Sequence, residues 1–403
     1  MGTFKVCLND IFFIMIDPYE KYGLRRVVNA ATCLTRLGGS APHLRVMEAM
    51  AEVSRAFIQI PVLQRWAGDE IAKATGAEAG LPTAGAVNGI MLACAACTMK
   101  GTELERYDPL EPETWSHLTG RLPLDTGGLK TEFIAQRVNR YSYDFAVASA
   151  GGRIVETEAT AEALDSAYHP DRTAAYYYTV RGGRGVPLNT ILEVAHRHGV
   201  PVIVDAAPDL RPKSILNYYT GKGADLVVFS GGKHLGGPNN TGILCGRGDL
   251  IKLAHLQAYP FDGIGRAAKM SKEAIVGLVE ALWLYLERDD EACFKRYEDR
   301  CREIADRLNE IPGVEAGVTY EYTIDEGLLM TPLAYLSLDK AETGVTLRRL
   351  HGELRLGDTV VETLLEPAFL IPDYRGRITI NPEYMLEGDD EVLLRRVKEI
   401  LGV

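Results

Sequence analysis

A series of short apolar runs, each closed by a polar or glycine-rich turn, constrains this 403-residue chain most. Residues 174–180 are rich in tyrosine. Residues 200–204 are mostly β-branched and deliver Asp205. Residues 225–229 lead into Ser230, and residues 241–245 follow. A shorter run at 145–148, ending at Gly151-Gly152, reads as one more strand. Between two of these runs, residues 188–198 carry a helical pattern, with Asn189 as its cap. Continuous apolar strands alternating with helices predict an α/β fold whose mostly parallel central sheet has helices on both faces. Ligands of such sheets bind beyond the carboxyl ends of the strands. Chemistry is therefore sought first at the residues that close each run.

The flanking regions read differently. Ser40-Ala41-Pro42 suits a helix start, with Ser40 as cap and a proline in the first turn. Leu44, Met47, Met50 and Val53 then recur with helical spacing. Helical patterns return over 66–74 and 87–97. Residues 101–130 hold Pro109, Pro112, Pro123 and Gly127-Gly128 and read as loop. Ile275, Val279, Leu282 and Leu286 mark a long helix whose pattern runs on through Cys293 and Ile304. Residues 313–403 mix strands at 334–338 and 377–380 with helices, the pattern of a smaller α+β domain. The expected division is an N-terminal arm at 1–20, a large domain at 21–285 and a small C-terminal domain at 286–403.

Composition removes several function classes. The apolar fraction is 46% and the charged fraction 25%, which excludes a disordered chain. The net charge is −11, which disfavours nucleic acid and anionic membranes as partners. Seven scattered cysteines, an odd number, exclude a disulfide scaffold and point to the cytoplasm. The apolar run at 11–16 is too short to span a bilayer. Asn9-Asp10 precedes it and Asp17-Pro18 follows, without a small-residue cleavage site. It reads as an arm that buries its apolar side, for example on a partner subunit.

Three features fall where a ligand is expected. Asp205 is a carboxylate at the tip of an apolar strand, so it wants a cationic partner. Ser230-Gly231-Gly232-Lys233 follows the next strand and places a hydroxyl and an amine in a glycine-lined turn. Leu81-Pro82-Thr83-Ala84-Gly85-Ala86 opens a helix with small residues, whose free N–H groups suit an anion. A phosphate cradle, a carboxylate and an amine are the set that pyridoxal phosphate needs, for its phosphate, its pyridine nitrogen and its aldehyde. Asp205 and Lys233 stand 28 positions apart, one strand–helix–strand unit. Taken singly, each has a blander reading as a cap or a solvated turn. The ordered set is the specific feature.

Competing motifs fail. Lys233 is followed by His234 rather than Ser or Thr, and Val227 stands where the first glycine of a Walker A loop belongs. Arg181-Gly182-Gly183-Arg184-Gly185 lacks dinucleotide spacing and reads as a flexible turn or a substrate-side loop. Cys94 and Cys97 have redox spacing but lie late in a helix without a second pair, so they read as packing residues. His196 and His198 flank Arg197 at a helix end, where cations meet the negative end of the helix. No metal site is expected.

Residues 229–242, Phe-Ser-Gly-Gly-Lys-His-Leu-Gly-Gly-Pro-Asn-Asn-Thr-Gly, resemble the cofactor-lysine segment of the bacterial selenocysteine synthase family. Val204-Asp205-Ala206-Ala207 resembles its aspartate segment. Residues 23–40, 75–79 and 264–273 are similar to further family segments. The fuller resemblance is to the tRNA-independent branch typified by D-glucosaminate-6-phosphate ammonia-lyase, over about residues 20 to 290. It implies an aspartate aminotransferase-like fold type I, pyridoxal 5'-phosphate as cofactor, and a homodimer or higher homo-oligomer with interfacial sites. It further implies Lys233 as the Schiff-base lysine and Asp205 as the pyridine-nitrogen partner. Ser230, Gly85 and Ala86, with Thr83 beside them, would hold the phosphate, and Arg266 would reach a neighbouring subunit's site. Two departures stand out: Pro238-Asn239 replaces the usual Pro-Gln, and Arg36 interrupts a segment that is otherwise uncharged.

The function this implies is a pyridoxal phosphate-dependent lyase. It would release ammonia by α,β-elimination from a small amino acid or amino sugar acid, through the Lys233 Schiff base and a carbanion at Cα. Arg377, Arg375 and Arg36 are candidates for the substrate carboxylate, and Gln136 for the neighbourhood of the cofactor ring. The same carbanion would serve a racemase or epimerase, with His43, Cys33 or a tyrosine as second acid, or an aminotransferase. A tRNA-dependent selenium transferase and a non-catalytic binding protein on this fold rank behind these.

Overall fold

The computed structural model describes residues 5–8, 11–14, 17–111, 115–180, 185–207, 209–322, 328–366 and 376–403; for 5–8 and 11–14 only the backbone is described. The chain divides into two compact units. One comprises residues 33–293 and 321–331, the other residues 1–32, 294–320 and 332–403.

The larger unit is built on seven strands. These are β1 (Ala79–Thr83), β2 (Glu132–Gln136), β3 (Arg153–Thr157), β4 (Thr173–Thr179), β5 (Val202–Asp205), β6 (Leu226–Ser230) and β7 (Gly242–Gly246). Their order across the sheet is β1-β7-β6-β5-β4-β2-β3. β7 runs antiparallel to both neighbours, and the pairs β6–β5, β5–β4, β4–β2 and β2–β3 are parallel. The expected α/β class and mostly parallel sheet are what the chain adopts.

The strands read as unbroken apolar runs because both faces are covered. Side chains alternate between faces along a strand. Tyr177, Ile203, Val228 and Leu244 pack into one core with the helices α3 (Ala86–Met99) and α5 (Gly248–Gln257). Tyr176, Tyr178, Val202, Val204, Val227 and Ile243 pack into the other, with α4 (Leu188–Arg197) and α6 (Lys272–Glu287). Helix α3 is buried along most of its length. Its Cys94 and Cys97 are packing residues, and burial raises both thiol pKa values.

Three local expectations are corrected. Residues 145–148 do not form a strand. Phe145–Ser149 is one helical turn that exposes Phe145 and buries Ala146 and Val147, a helical rather than an alternating pattern. Two of its five residues are alanine, which favours the helix. The strand near it is β3, beyond Gly151 in its left-handed conformation. Asn189 lies inside α4, and Pro187 is the cap residue. In α1 (Leu44–Ser54), Leu44 and Met47 face solvent and Val46 is the buried residue.

The smaller unit is assembled from distant stretches. Arg26–Asn29 pairs in parallel with Thr359–Glu362, so Val28 stands beside Val361. A four-stranded sheet has the order Val314–Tyr322, Leu329–Leu338, Ile378–Ile380, Leu364–Leu365. Its core gathers Val28, Ile304, Leu308, Leu336, Leu350, Val361, Ile380 and Leu393. Lys5–Leu8 and Ile11–Ile14 form an antiparallel hairpin. Among the described residues no helix is long and apolar enough to cross a membrane.

Candidate active site

The register of the sheet brings Asp205, Ser230 and Thr83 to the same end of neighbouring strands. Asp205, the last residue of β5, pairs with Val228 on β6. Two residues further, Ser230 ends β6 and pairs with Gly242 at the start of antiparallel β7. Gly242 in turn pairs with Thr83 at the end of β1. Asp205 is 0% exposed. Its Oδ1 accepts the Ala207 backbone N–H at 3.0 Å, and its Oδ2 accepts the Tyr141 hydroxyl. Burial pushes the Asp205 carboxyl above its ordinary pKa. The Tyr141 hydroxyl, the Ala207 N–H and the Lys233 charge pull it back.

Lys233 sits in a turn that glycines make possible. Gly231 N–H donates to the Thr241 carbonyl, Gly237 N–H to the Gly231 carbonyl and Gly236 N–H to the Lys233 carbonyl, each at 2.9 Å. A Cβ on Gly232 would lie 2.5 Å from the Asn239 Cα. The chain before α1 closes over this turn. Ser40 donates its N–H and its hydroxyl to the Gly232 carbonyl, at 3.0 and 3.3 Å. Gly39, at φ +79°, would carry a Cβ 2.3 Å from the same oxygen and 2.7 Å from Asn239 Oδ1. Ser40 thus bonds the lysine turn and does not cap the helix. The cap is His43, whose Nδ1 accepts the Arg45 N–H at 3.2 Å. Lys233 itself is half-buried. Its ammonium has no hydrogen-bond acceptor among the described residues.

The third element is the start of α3. Gly85 is its cap residue, at φ 87°, and a Cβ there would meet nothing within 4 Å. A Cβ on Gly242 would instead lie 2.7 Å from Gly85 C, 2.8 Å from Thr83 Oγ1 and 2.9 Å from Ala86 N. β7 therefore lies directly against the helix start, whose first N–H groups have no intrahelical acceptor. Asn88 Oδ1 accepts the Ala84 N–H at 3.1 Å, and its Nδ2 is buried without a partner among the described residues. Thr83 donates its hydroxyl to the Gly85 carbonyl at 3.1 Å and so shapes the loop. Unmatched N–H donors at a helix N-terminus suit a phosphate. Asp205 suits a protonated ring nitrogen, and the Lys233 amine suits an aldehyde. The donor set fits pyridoxal phosphate.

The remaining candidates are placed as follows. Arg36 is exposed in the turn Thr35–Leu37, shortly before Gly39. Arg266 is exposed, with its guanidinium 5.3 Å from the Tyr259 ring centroid. Arg377 belongs to the smaller unit. It is buried, bonds Glu366 at 2.7, 3.0 and 3.2 Å, and lies 4.4 Å from the Tyr335 ring centroid. Gln136 gives its amide to Asn139 Oδ1 at 2.8 Å and the Val186 carbonyl at 3.1 Å, and accepts the Val186 N–H at 2.8 Å. It holds the chain at Val186. Arg375 and residues 181–184 lie outside the described residues. His196 and His198 end α4 against Asp225 and Asp165, at 2.8 and 2.9 Å. Tyr141 and Asn88 were not anticipated. Tyr141 bonds Asp205, 64 positions along the chain, so no local pattern marks it, whereas Asn88 bonds Ala84 four residues before it and could have been read as part of the helix start.

Comparison with known proteins bears on the family and the fold. A family model described as "SelA: L-seryl-tRNA selenium transferase" matches residues 175–322. A 5'-C-glycyluridine monooxygenase-decarboxylase from Streptomyces sp is 32% identical over 399 residues, 95% of this chain and 92% of that protein. A D-glucosaminate-6-phosphate ammonia lyase from Salmonella typhimurium is 28% identical over 395 residues, 95% of this chain and 97% of that protein. A solved structure of D-glucosaminate-6-phosphate ammonia-lyase superposes with a TM-score of 0.80 at 27% identity, covering 96% of this chain and 99% of that one. The expected aspartate aminotransferase-like fold type I is thereby shown.

Proposed function

The chain belongs to the SelA-like family of pyridoxal phosphate-dependent fold type I enzymes, and from that premise we propose that it is a lyase releasing ammonia by α,β-elimination from a small amino acid or amino sugar acid. The observation that carries the reading is that Asp205, the turn holding Lys233 and the open helix start at Gly85–Ala86 lie at one end of one sheet. When bound, pyridoxal phosphate supplies an electron sink for negative charge at a substrate's α-carbon. Asp205 would hold the proton on the ring nitrogen that makes the sink effective. The Ala86 N–H and the Ser230 hydroxyl would hold the phosphate; Gly85, whose own N–H goes to the Thr83 carbonyl at 2.9 Å, would leave the approach to the helix start open. Lys233 would hold the cofactor's aldehyde, and its free amine would take the α-proton of a bound substrate. Arg36 and Arg266, both exposed, are the proposed partners of the substrate carboxylate.

The relative named a monooxygenase-decarboxylase favours a second reading, in which the bond broken at the α-carbon is that to the carboxylate. Racemisation and transamination need the same lysine and aspartate. A homodimer or larger homo-oligomer in the cytoplasm is the proposed state of the protein. Leu44, Met47, Phe57, Ile58 and Val62 are exposed within one short stretch, the kind of surface a second copy would cover.

The test is a screen of amino acids and amino sugar acids with the loaded protein, read for keto acid, ammonia, carbon dioxide and loss of optical purity. Keto acid and ammonia in equal amounts, absent with Lys233→Ala, support the lyase. Carbon dioxide release supports the second reading. Racemisation alone, or amine transfer to an added keto acid, rejects both.

A further inference from the structure

We propose that Tyr141 is a positioning residue for the cofactor's ring nitrogen: its hydroxyl fixes the orientation of the Asp205 carboxylate and keeps it in the anionic form. The inference rests on the reading of Asp205 given above. The carboxylate is fully buried, and two donors reach it from the protein. The Ala207 N–H, two residues along the same turn, takes Oδ1. The Tyr141 hydroxyl takes Oδ2 and comes from a separate element, the loop after β2. Each carboxylate oxygen can accept two hydrogen bonds, so the two donors fix the plane and leave a lone pair for a third.

Asp205 needs a donor that does not titrate. A buried carboxylate tends to take up a proton, and a protonated Asp205 could no longer hold a positive ring nitrogen. The cation that acts on it is Lys233, which must lose its charge to react as an amine. The other groups acting on Asp205 are the Asp144 carboxylate, which opposes its ionisation, and Tyr177, which faces it from β4. Tyr141 keeps its proton throughout, because burial and the adjacent Asp205 charge push its hydroxyl far above the ordinary tyrosine range. It is a permanent neutral donor.

Tyr141 is held independently of Asp205. Its backbone N–H donates to Asp144 Oδ2 at 3.1 Å, and Arg140 pairs with the same carboxylate. Its ring meets Tyr143 edge-on, with centroids 5.4 Å apart and planes at 71°. Deleting the hydroxyl should therefore leave the loop in place.

The test is a double-mutant cycle of Tyr141→Phe and Asp205→Asn in the protein loaded with pyridoxal 5'-phosphate. Two quantities are read besides activity: the cofactor's dissociation constant, and the pH midpoint of its visible absorption band. Tyr141→Phe is expected to weaken cofactor retention about tenfold and to shift the midpoint, as loss of a hydrogen bond to a charged group would. Asp205→Asn should cost more, and the double variant should be no worse than Asp205→Asn alone. Losses that multiply in the double variant, or a Tyr141→Phe protein matching the parent in both readouts, would overturn the proposal. If Asp205→Asn leaves both readouts unchanged, the assignment of Asp205 itself falls, and this inference with it. Should Tyr141→Phe fail to fold, Tyr141→His, which keeps a ring donor, carries the same cycle, and parent-like readouts with retention above that of Asp205→Asn are then expected.

Discussion

At Gly242 a single missing side chain keeps the proposed phosphate cradle open. A methyl group there would lie within 3 Å of two backbone atoms, Gly85 C and Ala86 N, and of Thr83 Oγ1, which is tied to the Gly85 carbonyl. Gly242→Ala should weaken cofactor retention by about tenfold or more, read by titrating the apo-protein with pyridoxal phosphate. Gly39→Ala makes a different demand, because φ +79° and the Gly232 carbonyl both oppose a Cβ. It should lower stability by about 1–3 kcal/mol and loosen the lysine turn, read by denaturant unfolding. The two positions also mark how far single residues were legible. Asp205 and Ser230 could be located because each closes an apolar run, and Lys233 because it stands in the glycine-lined turn that follows the second; a strand end needs no partner to be recognised. Tyr141 and Gly39 could not, because each is defined by a contact with a residue far along the chain. Ser40 shows the same limit: its serine suited a helix cap, yet it bonds a carbonyl 192 positions away.

Among the elements, the parallel strands were the most legible, because burial on both faces writes an unbroken apolar run. The turn at Phe145–Ser149 was misread for want of length, since four apolar residues fit a strand or a helix turn equally well. Leu44 and Met47 in α1 obeyed helical spacing but face solvent, so periodicity indicated the helix without indicating which face is buried. In the smaller unit, one arginine ties helix to helix. Arg300, on the helix Asp290–Asn309, bonds both oxygens of Asp390 at the start of the helix Asp389–Leu401. It also donates to the carbonyls of Pro382, Met385 and Leu386 at 2.9–3.0 Å. Arg300→Met removes all of these donors and should cost about 2 kcal/mol, seen as a lower thermal midpoint with no change in cofactor spectrum.

At the scale of the whole molecule, buried titratable groups predict how stability follows pH. Burial, with Arg65 nearby, lowers the His255 pKa to about 3, and its Nε2 bonds Gln64 Oε1 at 3.0 Å. His234 is also pushed well below its ordinary value, by burial and by the charges of Arg211, Lys233 and Arg288. Both are neutral when folded, whereas the unfolded chain takes up their protons near pH 6.5. Their stabilising contribution is full above that value and is lost as pH falls from about 6.5 toward about 3. Glu321 has the opposite sign. Burial raises it to about 7, so its contribution is full below its unfolded value and is lost as pH rises through about 7. Glu321→Gln should therefore flatten the alkaline side of the profile, with a urea midpoint that falls less than the parent's between about pH 5 and about pH 8. The smaller unit was the least legible feature at this scale. Its pairing of Arg26–Asn29 with Thr359–Glu362 joins two strands over 300 residues apart, beyond the reach of any local pattern.

The measurement that bears most directly on the account is chemical capture of the cofactor. The purified protein is loaded with pyridoxal 5'-phosphate, reduced with borohydride, digested and read by mass spectrometry, with Lys233→Ala in parallel. The account predicts a reduced pyridoxyl group on the peptide carrying Lys233, a visible band bleached by the reduction, and neither in the variant. A parent protein that shows no band after loading, or that carries the group on another lysine, would contradict it.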